Sequence, residues 1–190
     1  ACEASLTRLN SDHIDLYQIH RPDMFTHPEE TAAALDGLVD SGKIGSIGVS
    51  NYTLAQLHAL RAYLKAPLVS LQKQYSLADL DMLRDGSLDL CMETELTPLA
   101  WSPLAGGALI SGAGQNAELM GAMDALAARE NVDRAAIGLA FILAHPSLCV
   151  PIIGSQSPDR LQAAMQACEV TLTRADVYQL IEASEGVALP

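Results

Sequence analysis

Apolar residues along this chain fall into two patterns that alternate. Short runs rich in Ile, Val and Leu, bounded by turn residues, read as buried strands, and each is followed by a stretch with apolar residues at helical spacing. The first strand covers residues 14–20 and stops at a break. Pro22 cannot donate to a sheet ladder and biases Arg21 toward extended or turn backbone, which leaves His20 at the strand's C-terminal edge. A helix is predicted over residues 28–40, with Pro28 in its first turn, Glu29 and Glu30 at its positive end and Ser41-Gly42 as its stop. The second strand covers residues 44–51, and Thr53 caps a helix bearing Leu54, Leu57, Leu60 and Leu64. The third strand is 68–75, a short helix runs from Asp85 or Ser87 to about Glu95, and the fourth strand is 97–102. Residues 105–116, rich in Gly, Ser and Ala without periodicity, read as a loop. Helices over 117–130 and 133–145, a fifth strand over 150–155, a helix capped by Ser157 with Pro158 at its first position, and a last helix over 174–185 complete the order.

Alternating strands and helices imply an α/β fold with a parallel sheet. Five such units are five-eighths of a (β/α)8 TIM barrel, read as a single domain over residues 1–190. The chain opens at Ala1 on residues already patterned as a helix, with Leu6 and Leu9 on one face and no N-cap, so the domain is expected to be incomplete at its N-terminal side.

Composition narrows the function classes. A net charge of −12 lacks the basic footprint that a nucleic-acid backbone or an anionic membrane surface requires. Cys2, Cys91, Cys149 and Cys168 form no C-x-x-C pair and no ligand spacing with histidine, so neither a disulfide framework nor a metal site is expected, and a reducing cytoplasm fits. No apolar run approaches the length of a membrane span. His13, His27, His58 and His145 are given structural or solvent roles. Met82, Met92, Met120, Met123 and Met165 read as gap-filling core.

The candidate chemistry lies at the strand ends: His20, Ser50-Asn51, Gln72, Trp101-Ser102 and Gly154-Ser155. A purely structural barrel interior favours branched apolar residues, so uncharged amides and hydroxyls there point to a ligand bearing an amide or hydroxyls. Alternation puts Leu16, Gln18 and His20 on one face and Lys73 on the face opposite Gln72. At the fifth strand end, Gly154 allows close backbone approach, and the amides at the start of the following helix form an anion site that Arg160 can reinforce. Gly106 and Gly107 offer a second place for backbone to meet pyrophosphate.

Several motifs occur in order: Ala-Ser-Leu-Thr-Arg-Leu (4–9), Ile-Asp-Leu-Tyr-Gln-Ile-His-Arg-Pro-Asp (14–23), Ser-Gly-Lys-Ile-Gly-Ser-Ile-Gly-Val-Ser-Asn-Tyr (41–52), Ala-Trp-Ser-Pro-Leu-Ala-Gly-Gly (100–107) and Pro-Ile-Ile-Gly-Ser-Gln-Ser-Pro-Asp-Arg-Leu (151–161). Together they resemble the aldo-keto reductase family, in its bacterial oxidoreductase branch, over essentially the whole chain. The resemblance implies an NAD(P)H-dependent enzyme that reduces aldehydes or ketones to alcohols, with a small-molecule carbonyl substrate. Ser50, Asn51 and Gln72 would hold the nicotinamide carboxamide, and Trp101 would stack on the ring. Ser102 with Leu104, Ala105 and Gly106 would hold the pyrophosphate. Gly154 stands where many members carry a lysine for the 2′-phosphate, so a preference for NADPH over NADH would rest on Arg160. Ser155, Gln156 and Arg160 would meet the adenosine end. His20 matches the histidine of the family's catalytic tetrad. The tetrad's aspartate, tyrosine acid and lysine belong to upstream units that this reading leaves outside the chain, so the 190 residues alone are expected to be inactive. The alternative is a non-catalytic nicotinamide-binding module of the regulatory kind.

Overall fold

The computed structural model describes residues 1–188. Its elements are α1 (Cys2–Leu9), β1 (Ile14–Ile19), α2 (Pro28–Asp40), β2 (Ile44–Ser50), α3 (Leu54–Arg61), β3 (Leu68–Gln74), α4 (Asp81–Arg84), α5 (Ser87–Thr94), β4 (Thr97–Trp101), α6 (Ala108–Ser111), α7 (Ala117–Glu130), α8 (Arg134–Leu143), β5 (Val150–Pro151), α9 (Pro158–Met165) and α10 (Arg174–Glu185). This is the α/β alternation that the hydrophobic pattern predicts. No helix among the described residues is long and apolar enough to cross a membrane.

Side-chain caps mark the starts of α2, α3, α7, α8 and α10. In α3 the Thr53 hydroxyl accepts from the Gln56 N–H at 3.2 Å while the Gln56 side chain accepts from the Thr53 N–H at 3.0 Å, a complete capping box. Asn116 and Asp133 cap α7 and α8 with one bond each, accepting from the Leu119 N–H at 2.7 Å and the Ala136 N–H at 2.9 Å. For α2 the cap is His27, whose Nδ1 accepts from the Glu29 N–H at 3.3 Å.

The described residues form two compact units. In the first, Ala1–Lys73 with Asp89–Thr97, strands β1, β2 and β3 pair in parallel. Val49, Leu57, Leu60, Leu71, Leu90 and Leu96 form one core and Leu6, Leu35, Ile44 and Ile47 a second. In the second unit, Gln74–Leu88 with Pro98 onward, β4 and β5 pair in parallel. Tyr75, Leu109, Met123, Ile137, Phe141 and Leu180 lie in its main core.

Several elements depart from the sequence reading. The fifth strand is two residues long instead of six. Pro151 brings no N–H to the ladder, and after the Ile152 N–H donates to the Ala100 carbonyl at 2.8 Å the segment runs on outside any strand. Residues 105–116 are not all loop: a 3-10 turn over Ala105–Gly107 leads into α6, whose Leu109 is fully buried. Tertiary burial of that one leucine holds a turn of helix that periodicity is too short to reveal. Short α4 is likewise anchored by buried Met82. Helix α3 ends at Arg61, before Leu64. Ser157 occupies the N-cap of α9 without a side-chain cap bond. Met92 and Met165, expected in the core, are 43% and 65% exposed, because each falls on the outward face of its helix.

Candidate functional site

In the first unit, the ends of three adjacent strands bring four of the predicted residues together. The Asn51 N–H donates to the Gln72 carbonyl at 2.9 Å, continuing the β2–β3 ladder one residue past β2. The Asn51 side chain turns back and donates through Nδ2 to the His20 carbonyl at 3.2 Å and to the Ser50 hydroxyl at 3.1 Å. Asn51 can do both because its backbone is left-handed, φ 60°, a conformation that asparagine tolerates better than most side-chain-bearing residues. Ser50 is buried, Asn51 and Gln72 are half-buried, and His20 is exposed just past β1. Backbone and side-chain bonds of Asn51 thus join Ser50, Gln72 and His20 at these ends, His20 and Gln72 through their backbone carbonyls.

Behind these ends lies a polar link that the sequence reading did not include. Gln18 Nε2 donates to Gln72 Oε1 at 3.0 Å, and the Ser70 hydroxyl donates to Gln18 Oε1 at 3.1 Å. Only Gly48 in the intervening strand hinted at it, since a small residue in a strand often marks close approach by neighbours.

In the second unit a cleft of about 690 Å³ opens beside the β4 and β5 ends. Seven predicted residues line it: Ser102, Leu104, Gly106, Gly107, Gly154, Ser155 and Arg160. Trp101, Ala105 and Gln156 stand next to lining residues without lining the cleft themselves. The turn after β4 is unusual. Ser102 (φ 53°) and Ala105 (φ 50°) are both left-handed, and Gly106 and Gly107 follow in the same region at 62° and 95°. For serine and alanine that backbone costs about 1–2 kcal/mol each. Such outliers persist where the surroundings enforce them, and they cluster at ligand sites. Gly154 behaves differently. Its φ is ordinary and a Cβ there would meet nothing within 4 Å, so it contributes open space on the cleft side rather than backbone freedom.

Charged groups of both signs stand at this cleft: Arg160 and Asp133 line it, and Asp159 lies in the first turn of α9. Since Ser157 makes no side-chain cap bond, its hydroxyl does not occupy the first-turn amides of α9, and the exposed Arg160 stands in that turn. Ser155 Oγ instead accepts from the Ser157 N–H at 3.2 Å. Asp133 also lines the cleft, with Oδ1 committed to the Ala136 N–H at the start of α8. Among the tyrosines, burial pushes the Tyr52 and Tyr75 hydroxyls above their ordinary ionisation range, so neither is tuned to give up a proton near neutrality.

Comparison with known proteins agrees with this architecture. The family model for the aldo/keto reductase family matches residues 1–185. A 6-dehydroglucose reductase of Novosphingobium aromaticivorans is 42% identical over 191 residues, covering 100% of this chain and 63% of the relative. One of Agrobacterium fabrum is 38% identical over 184 residues, covering 97% and 61%. The chain thus spans a little over three-fifths of the curated relatives it matches. A crystal structure of a thermostable aldo-keto reductase in complex with the inhibitor epalrestat superimposes with a TM-score of 0.85 at 30% identity, over 96% of this chain and 64% of that one. On the order of its strands and helices, its motifs and these matches, the chain belongs to the aldo/keto reductase family.

Proposed function

We propose that this chain carries the cofactor-holding residues and the carbonyl-orienting histidine of an NADPH-dependent reductase that converts aldehydes or ketones to alcohols in the cytoplasm. The observation that carries the reading is the linked set at the first three strand ends, in which Asn51 is bonded to both Gln72 and His20. The donor chemistry fits a nicotinamide dinucleotide. Uncharged amides and a hydroxyl suit its carboxamide, and a cleft with Arg160 beside first-turn amides suits its phosphates.

In this reading Ser50, Asn51 and Gln72 hold the carboxamide, Trp101 packs on the ring, and Ser102, Leu104, Ala105 and Gly106 meet the pyrophosphate. Gly154, Ser155, Gln156 and Arg160 meet the adenosine end, and the charge of Arg160 favours NADPH over NADH. A bound cofactor supplies the hydride. His20 donates a hydrogen bond to the substrate carbonyl oxygen, polarises it and assists proton delivery to the oxygen of the product. None of the five tyrosines of this chain is assigned as the proton source.

The test is NADPH oxidation by the full polypeptide carrying this sequence, against a panel of small aldehydes and ketones. Because two relatives are named 6-dehydroglucose reductases, 6-dehydroglucose comes first on the panel. Carbonyl-dependent oxidation supports the proposal. Tight NADPH binding with no turnover of any carbonyl would replace it with the non-catalytic binding module.

A further inference from the structure

Gln18 sits two residues before His20, in β1, and links β1 to β3 across β2. Its Nε2 donates to Gln72 Oε1 at 3.0 Å and its Oε1 accepts from the Ser70 hydroxyl at 3.1 Å. The link passes over Gly48. A Cβ at that position would lie 2.3 Å from Ser70 Oγ and 2.7 Å from Gln18 Cγ, so glycine is what lets side chains of β1 and β3 meet there. Gln18 and Gln72 are half-buried and Ser70 is buried, so water competes weakly for these groups.

We propose that Gln18, bonded to both Ser70 and Gln72, is a positioning residue that occupies one end of the Gln72 amide and leaves the other end for a ligand. The proposal rests on the reading of Gln72 as a carboxamide-binding residue. An amide has an acceptor end and a donor end, and swapping them changes its shape hardly at all. Hydrogen bonding therefore has to choose between them. In the arrangement observed, the Ser70 hydroxyl donates to the Gln18 oxygen and the Gln18 NH2 donates to Gln72. Gln72 answers with Oε1, and its own NH2 is left for the ligand. The site then offers a donor to the carbonyl oxygen of a carboxamide. With the Gln72 amide alone reversed, its NH2 would face the Gln18 NH2, donor against donor.

The experiment compares binding of NADPH and of 2′,5′-ADP, which lacks the nicotinamide, to the full polypeptide and its variants. In Gln18→Glu the new carboxylate only accepts, draws the Gln72 NH2 to itself and turns Oε1 toward the ligand. The expected result is about tenfold weaker NADPH binding, the loss of one hydrogen bond, with 2′,5′-ADP binding unchanged. Gln18→Met keeps the volume, frees Gln72 to sample both orientations, and is expected to weaken NADPH by about threefold, again with no change for 2′,5′-ADP. Unchanged NADPH binding in Gln18→Glu overturns the proposal. So does an equal loss for both ligands, which would make Gln18 merely structural. If Gln18→Glu does not fold, the Gln18→Met comparison decides by the same criterion. If the unsubstituted protein binds neither ligand, the cofactor reading itself has failed and this assignment falls with it.

Discussion

Arg129 and Asp176 meet in a two-pronged ion pair, Nη1 to Oδ1 at 2.8 Å and Nη2 to Oδ2 at 3.0 Å. The pair joins α7 to the first turn of α10, where Asp176 also completes the capping box with Thr173. Its carboxyl is held well below the usual carboxylate range, first by the hydrogen bond from Arg129 and then by Thr173, against the opposing effect of burial. A carboxyl whose ionisation is depressed on folding stabilises the fold above the unfolded value, near pH 4. That contribution fades as pH falls from there through the folded value. Urea midpoints measured between pH 7 and pH 3 should therefore fall on the acid side, and Asp176→Asn should flatten that fall. At pH 7, Asp176→Ala is expected to cost about 2 kcal/mol through loss of the cap and the pair.

Asp36 makes a comparable connection in the first unit. The residue is 8% exposed, and its carboxylate accepts from the Lys65 N–H with both oxygens at 3.2 Å and from the Ala66 N–H at 2.9 Å, tying α2 to the segment that enters β3. Asp36→Ala strands two backbone donors and should lower stability by about 1–3 kcal/mol. Asp36→Asn keeps an acceptor and should lose less. Equilibrium denaturation of the two variants tests the order.

Gly48 should resist substitution for lack of space. Gly48→Ala is expected to destabilise by about 1–3 kcal/mol. Ser70→Ala removes the nearest obstructing atom, so the double variant should recover part of the loss. A double-mutant cycle showing strict additivity would mean that the two positions do not meet.

If Arg160 meets the extra phosphate as proposed, Arg160→Ala should weaken NADPH binding by about tenfold and leave NADH binding nearly unchanged. Added salt should shrink the difference between the two cofactors in the unsubstituted protein.

Trp101 is the one tryptophan of the chain, so its emission reports directly on its surroundings. Packing against a nicotinamide ring predicts quenching on addition of NADPH. Little change with 2′,5′-ADP would assign the effect to the ring end.

The parts of the fold legible in the sequence are those written in local chemistry. Helix α2 begins at a proline followed by acids, and α2, α7 and α10 each run over the residues predicted for them. The strand ends that carry His20, Asn51, Gln72 and Ser102 were legible because turn residues and a change of period mark them. What was hidden depends on distant partners. Helix α6 exists because Leu109 is buried, and the Gln18–Gln72–Ser70 link joins residues some fifty positions apart. Left-handed Ser102 and Ala105 were invisible for a related reason: nothing in either side chain asks for that backbone.

Those two residues also bear on how the protein responds to selection. Glycine at 102 or 105 would relieve conformational strain, so variants chosen for heat resistance alone should drift toward glycine there. Variants chosen for ligand capture should keep serine and alanine, since a slackened turn would hold its amides less firmly. Sequencing survivors of the two regimes would show whether the turn after β4 is where this chain trades durability for grip.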